Sequence, residues 1–378
     1  MSAVVALTVF SGAAGADTSD TNAQNAPGVV ATIPAVHSIV SGVLGDKSEA
    51  HLLVPGNASP HSYNLRPSDA RALSEAELVV WVGPQLETFL DGRIEQLAPE
   101  AQIISMTKLE DAVLLPIRAG GLWDAHDHAH GHSHDHGGHD HAKHDDHADH
   151  DDHAHADDHG HKKHGDEHDH AKHDDHAHDD HAKHDDHAKH DGHADEDHAA
   201  LDVDGHVWLD PRNAVALSAA VADALGAITP ADADYYAANH ARQAERLNAM
   251  DASLMEALAP IQQVPFIVFH DAYQYFETRY DLGSVGSVTV SPEVAPGAQR
   301  VRAIQTRIAE RGAKCVFAEP QFRPAILDAI TEGTPTRTSV LDPVGADITP
   351  GADLYEQLMR ALADNMLTCL SPDATQTP

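Results

Sequence analysis

Phe266-Ile267-Val268-Phe269-His270-Asp271 is a run of four β-branched and aromatic residues that stops at an imidazole and a carboxylate. Such a run reads as a buried strand, the kind found in parallel sheets. The pattern recurs downstream. Ala313-Lys314-Cys315-Val316-Phe317-Ala318 ends at Glu319-Pro320, and Thr338-Ser339-Val340-Leu341 ends at Asp342-Pro343. Each strand therefore carries a ligand-type side chain to its C-terminal end, the edge at which open α/β sheets place their binding sites.

The N-terminal half alternates in the same way. Val29-Val30-Ala31-Thr32-Ile33-Pro34 predicts a first buried strand, followed by a helix from about Ala35 to Leu44. His51-Leu52-Leu53-Val54 predicts a second strand, ended by the turn residues Pro55-Gly56-Asn57. His61 lies in the loop that follows. A helix starts at Ser68-Asp69-Ala70-Arg71-Ala72-Leu73, and Glu77-Leu78-Val79-Val80-Trp81-Val82-Gly83 is the most apolar strand of this half. Strands alternating with helices indicate parallel sheets with βαβ connections. Between the halves, 214–225 reads as an apolar helix, with Asp210 as its cap. A longer helix spans about 231–258, where Tyr236, His240, Gln243, Leu247, Met250, Leu254 and Leu258 share one face. A helix of that length suits a rigid tie between two lobes.

Three histidines sit where a strand reading runs out into a loop: His61, His270, and His206 within Gly205-His206-Val207-Trp208-Leu209-Asp210-Pro211. They are expected to meet in space. Imidazole nitrogen suits zinc, whereas manganese and calcium favour more oxygen ligands. The spacing matches no local zinc signature. His37, His51 and His240 read as boundary histidines.

Residues 126–198 hold 27 of the 33 histidines and no apolar residue larger than Ala. They repeat HAKHDDH at 141–147, 170–176 and 181–187. This tract is too polar to offset the entropy of ordering, so it reads as a disordered insertion. His126, His128, His130, His132, His134, His136 and the remaining imidazoles offer many weak, interchangeable metal sites. The bland alternative is a hydrophilic spacer lengthened by repeat slippage. Of the net charge of −36, the tract carries −17. An acidic chain without clustered Lys and Arg disfavours nucleic acid and anionic membranes as partners.

MSAVVALTVFSGAAGA resembles the latter part of a secretory signal cleaved after Ala16, without the positively charged start. No Cys follows it for lipid anchoring, so an exported, soluble protein is expected. Cys315 and Cys369, the only cysteines, then suggest one disulfide, with a metal-binding pair as the competing idea.

One resemblance ties these readings together. Pro55–Tyr63 with Leu65-Arg66-Pro67-Ser68-Asp69, Val80–Pro84, His206–Leu209, Val268–Phe276 and Phe317-Ala318-Glu319-Pro320-Gln321-Phe322 look like the periplasmic zinc-binding proteins of ABC transporters. These are the ZnuA-type members of the cluster A-I solute-binding family, and the likeness covers roughly 28–370 apart from the tract. It implies two α/β lobes joined by one long helix, with metal in the cleft. It also implies delivery to an inner-membrane permease and its ATPase. His61, His206 and His270 match the family's histidine ligands, and Cys315 and Cys369 match its C-lobe disulfide. Manganese-binding relatives resemble a glutamate at the position of His270, so a histidine there supports zinc. Some relatives have Glu before the first histidine where this chain has Pro60, which leaves water, Asp342 or a tract side chain for the fourth position.

The expected organisation is a signal at 1–16, a mobile leader at 17–27 and an N-terminal lobe at 28–230 containing the tract. The linker helix at 231–259, a C-terminal lobe at 260–370 and a tail at 371–378 follow. Arg66, Asp69 and Glu319 are expected to make loop and interlobe hydrogen bonds, Glu319 near the cleft. The expected function is that of a monomeric periplasmic binding protein without catalysis. The rivals are a zinc hydrolase, which would need Glu319 or Asp342 as general base, and a periplasmic zinc buffer using the tract alone.

Overall fold

The computed structural model describes residues 27–118, 203–289, 292–293, 295–320 and 325–372. The export signal and the leader up to residue 26, the histidine-rich tract, Gln321-Phe322 and the tail from residue 373 lie outside the described residues.

The first half contains β1 (Val29–Ala31), α1 (Pro34–Leu44), β2 (His51–Leu52), α2 (Pro67–Ser74), β3 (Leu78–Trp81), α3 (Ile94–Leu97) and β4 (Gln102–Ser105). These strands form a parallel sheet in the order β2-β1-β3-β4. Two helices follow, α4 (Pro211–Ile228) and α5 (Ala233–Leu258). The second half contains β5 (Phe266–His270), α6 (Gln274–Tyr280), β6 (Ser284–Thr289), α7 (Ala298–Arg311), β7 (Cys315–Ala318), α8 (Ala325–Thr331), β8 (Arg337–Val340) and α9 (Leu354–Leu370). Its sheet is also parallel, in the order β6-β5-β7-β8. The chain is thus a two-lobed α/β protein whose halves share one strand order.

Local chemistry explains several boundaries. Asp210 caps α4 by accepting from the Arg212 N–H at 2.9 Å, and Pro211 opens the helix where a missing N–H costs nothing. Helix α1 begins with Pro34 and ends at Gly45, whose φ of 60° favours glycine. Helix α5 is 26 residues long and buries Tyr236, Gln243, Leu247, Met250, Leu254 and Leu258, the face read from the sequence. His240 is only half-buried and its Nδ1 lies 3.0 Å from the Ser218 Oγ. The strand expected through Val54 leaves the ladder at Leu52, yet the N–H groups of Leu53 and Val54 still donate to Ala31 and Thr32.

The sequence gives little sign of β4 and β6. Both are edge strands, and edges need less apolar surface than the strands they flank. Ser284-Val285-Gly286-Ser287-Val288-Thr289 accordingly alternates small, polar and apolar residues.

The two sheets share their interior. One apolar cluster runs from Val29 and Ile33 through Trp208, Leu247 and Phe266 to Met366 and Leu370. Helix α1 lies at its middle, packed by α4, α5 and α9. Ser38 on α1 is completely buried, donates to the Ala352 carbonyl at 3.0 Å and accepts from the Tyr355 N–H at 2.9 Å. A disulfide joins Cys315, at the start of β7, to Cys369 near the end of α9.

Candidate metal centre

His61, His206 and His270 are brought together, with one ligand nitrogen from each lying within 4.8 Å of the others. Among the described residues no other His, Cys, Asp or Glu joins such a group. Each histidine comes from a different connection. His61 lies in the loop after β2, His206 precedes the 3₁₀ turn Val207–Leu209, and His270 ends β5. Strands β1 and β5 stand between neighbours on both sides in their sheets, so the chain leaves them at the topological switch point, where crevices open.

Two of the imidazoles are clamped from behind. His206 Nδ1 lies 2.7 Å from Asp204 Oδ1, which also accepts the His206 backbone N–H at 3.0 Å. His270 Nδ1 lies 2.6 Å from Glu319 Oε1. A carboxylate at Nδ1 fixes the tautomer with its hydrogen there and turns the Nε2 lone pair to the opposite side. Those two Nε2 atoms lie 3.3 Å apart. Ligands about 2.0–2.1 Å from a tetrahedral zinc are separated by about 3.4 Å, so the pair already has the spacing of one tetrahedral edge. Two lone pairs directed at each other call for a proton or a cation between them.

The loops holding these residues are well tied. Trp208 is fully buried, and its Nε1 donates to the Pro343 carbonyl at 2.9 Å, while Tyr355 Oη donates to the Trp208 carbonyl at 2.8 Å. Asn213 Nδ2 donates to the carbonyls of Val113 and Val207. In the His61 loop, Asp69 Oδ2 accepts from Tyr63 Oη at 2.9 Å and from the Arg66 N–H at 2.8 Å. Asp69 thus organises its own loop.

His61 is held differently. Its ring is half-buried and has no hydrogen bond among the described residues, touching the other two imidazoles with centroids 5.3 and 5.7 Å away. Burial, then the neighbouring His206 and His270, lower its pKa well below the ordinary imidazole value, which keeps it neutral. For His270 burial acts downward, but the Glu319 carboxylate outweighs it and the pKa is raised.

The imidazoles line a small cavity of about 20 Å³ with Ser59, Pro60, Trp208, Pro292, Glu319 and Pro343. That volume holds about one water-sized body. Asp342, an alternative for the fourth position, accepts the N–H groups of Val344, Gly345 and Ala346 at 3.0, 3.0 and 2.5 Å. His37 lies 3.0 Å from the Ala50 carbonyl and His51 is exposed on β2, both away from the cluster.

Asp204 escapes sequence reading. Its signal, a carboxylate two residues before a histidine, is repeated throughout the adjoining tract.

The chain matches the family described as zinc-uptake complex component A, periplasmic, over residues 29–369. It belongs to that family. It is 43% identical over 344 residues to the high-affinity zinc uptake system protein ZnuA of Brucella suis, spanning 91% of this chain and 92% of the relative. The ZnuA of Paracoccus denitrificans is 40% identical over 348 residues, 92% of this chain and 93% of that one. A crystal structure of ZnuA superposes with a TM-score of 0.63 at 22% identity, covering 91% of this chain and 98% of the other. A zinc-bound ZnuA deletion mutant superposes at 0.61 and 21% identity, over 92% and 98%. These superpositions support the two-lobed ZnuA fold.

Proposed function

We propose that this chain is the periplasmic zinc-binding component of an uptake system. In this reading it holds one zinc ion between His61, His206 and His270 and hands it to an ABC permease driven by its ATPase at the inner membrane. The observation that carries the reading is the Nε2–Nε2 separation of 3.3 Å between two imidazoles whose other nitrogens face carboxylates. The names of the relatives, high-affinity zinc uptake proteins, support the same ion. Water completes the tetrahedron, because Asp342 is engaged by three backbone N–H groups. The monomer works alone as carrier. Exported by its N-terminal segment, it uses the tract at 126–198 to gather or sense zinc, and docking on the permease perturbs the cleft to release the ion.

A hydrolase is disfavoured by the site itself. Both carboxylates that sequence reading offers as general base are engaged, Glu319 at the His270 Nδ1 and Asp342 at the loop amides. A buffer that relies on the tract alone would leave the three-histidine cluster without a task. Zinc titration of the full chain and of a chain lacking 126–198 separates the readings. One tight site should survive the deletion while the weaker sites disappear, and loss of the tight site would overturn the proposal.

A further inference from the structure

His61 is the one imidazole of the three whose ring has no carboxylate behind it. Its position is set by its loop instead. The His61 N–H donates to the Ser59 Oγ at 3.3 Å, and the Thr88 hydroxyl reaches the His61 carbonyl at 3.5 Å, a long contact. Ser59 has a further partner from the other half of the chain: its hydroxyl donates to Glu293 Oε1 at 2.9 Å. Pro292, beside Glu293, is buried and lines the same cavity as Ser59 and His61. The charge of Glu293 also reaches the His270 imidazole. Glu293 is exposed, so the bond lies at the rim of the site, within reach of solvent and of anything that docks there.

We propose that His61 is the exchangeable ligand of the centre, and that the Ser59–Glu293 hydrogen bond is the positioning contact that keeps it on the metal. The inference rests on the three-histidine reading. His206 and His270, pre-oriented by Asp204 and Glu319, form the fixed half of the site, and zinc arrives there first. His61 then completes the set as its loop is held to the second half by Ser59 and Glu293. Dissociation runs in the opposite order, and a partner that competes for Glu293 or Ser59 loosens His61 without touching the buried pair.

The test is zinc release from the full chain loaded with one equivalent, mixed rapidly into excess chelator. Glu293→Ala and Ser59→Ala should each speed release about three- to tenfold, as expected for one exposed hydrogen bond to a charged group. The double variant should be no faster than Ser59→Ala, which already removes the Glu293 contact together with the His61 N–H bond to the Ser59 Oγ. Glu293→Gln, which keeps an oxygen acceptor for the Ser59 hydroxyl, should release zinc near the wild-type rate, an outcome that a purely electrostatic role for Glu293 would not give. Unchanged release in Glu293→Ala, or multiplicative effects in the double variant, would overturn the inference. His206→Ala is the control for the site. If it keeps tight zinc, the three-histidine reading fails; if it loses zinc while Glu293→Ala behaves as wild type, only the present inference fails.

Discussion

In the proposed three-histidine site, Asp204 and Glu319 act on the metal through the imidazoles and not by direct contact. Each holds an imidazole hydrogen at Nδ1 and makes the far nitrogen a better donor. Glu319→Gln keeps an acceptor but removes the charge, and should weaken zinc binding about tenfold, as measured by chelator competition. The raised pKa of His270 adds a pH dependence. In metal-free protein, a histidine whose folded pKa exceeds its unfolded value adds stability that is full below about pH 6.5 and lost as pH rises through the folded value. Zinc needs the neutral ring, so proton and metal compete. The rise in melting temperature caused by zinc should be small near about pH 5.5 and large near about pH 8, and in Glu319→Gln the onset should shift to lower pH. At this scale the meeting of His61, His206 and His270 was legible from their places at strand ends together with the family resemblance, since the spacing alone matches no local motif. Asp204 was not, since an Asp–x–His step beside a tract of Asp and His carries no contrast. Glu319 was legible as a residue near the cleft, but its partner depends on how β5 and β7 pair.

Among the elements, the central strands and the edge strands β2 and β8 were legible, whereas the edge strands β4 and β6 were not. Leu78–Trp81 and Phe266–Phe269 are wholly buried and continuously apolar. Gln102–Ser105 and Ser284–Thr289 owe their order to the neighbour they pair with, a tertiary effect that composition does not reveal. Helix α9 docks on α1 as well as on β8, so it joins the two halves as well as completing the second. The disulfide fixes its far end to β7. Closing 54 residues stabilises the fold by about 4 kcal/mol in the chain-entropy model. Cys369→Ser should therefore cost about 2–4 kcal/mol in denaturant unfolding, with little change in zinc affinity, because the bond lies at the opposite end of β7 from Glu319.

For the whole molecule, charge and core point the same way. An acidic chain with a net charge of −36 attracts cations, and one apolar cluster spanning both sheets gives three distant loops a common support. That support is what allows histidines separated by 145 and 64 residues to meet without a local motif. If the tract serves as proposed, to gather or sense zinc, its removal should reduce zinc stoichiometry to about one while leaving the tight site's affinity within about threefold of the full chain. The most direct measurement is zinc binding by a chain lacking 126–198 in which His61, His206 and His270 are all alanine. High-affinity binding should vanish while the circular dichroism spectrum and the disulfide persist; a folded triple variant that still takes up one zinc ion tightly would contradict the three-histidine site.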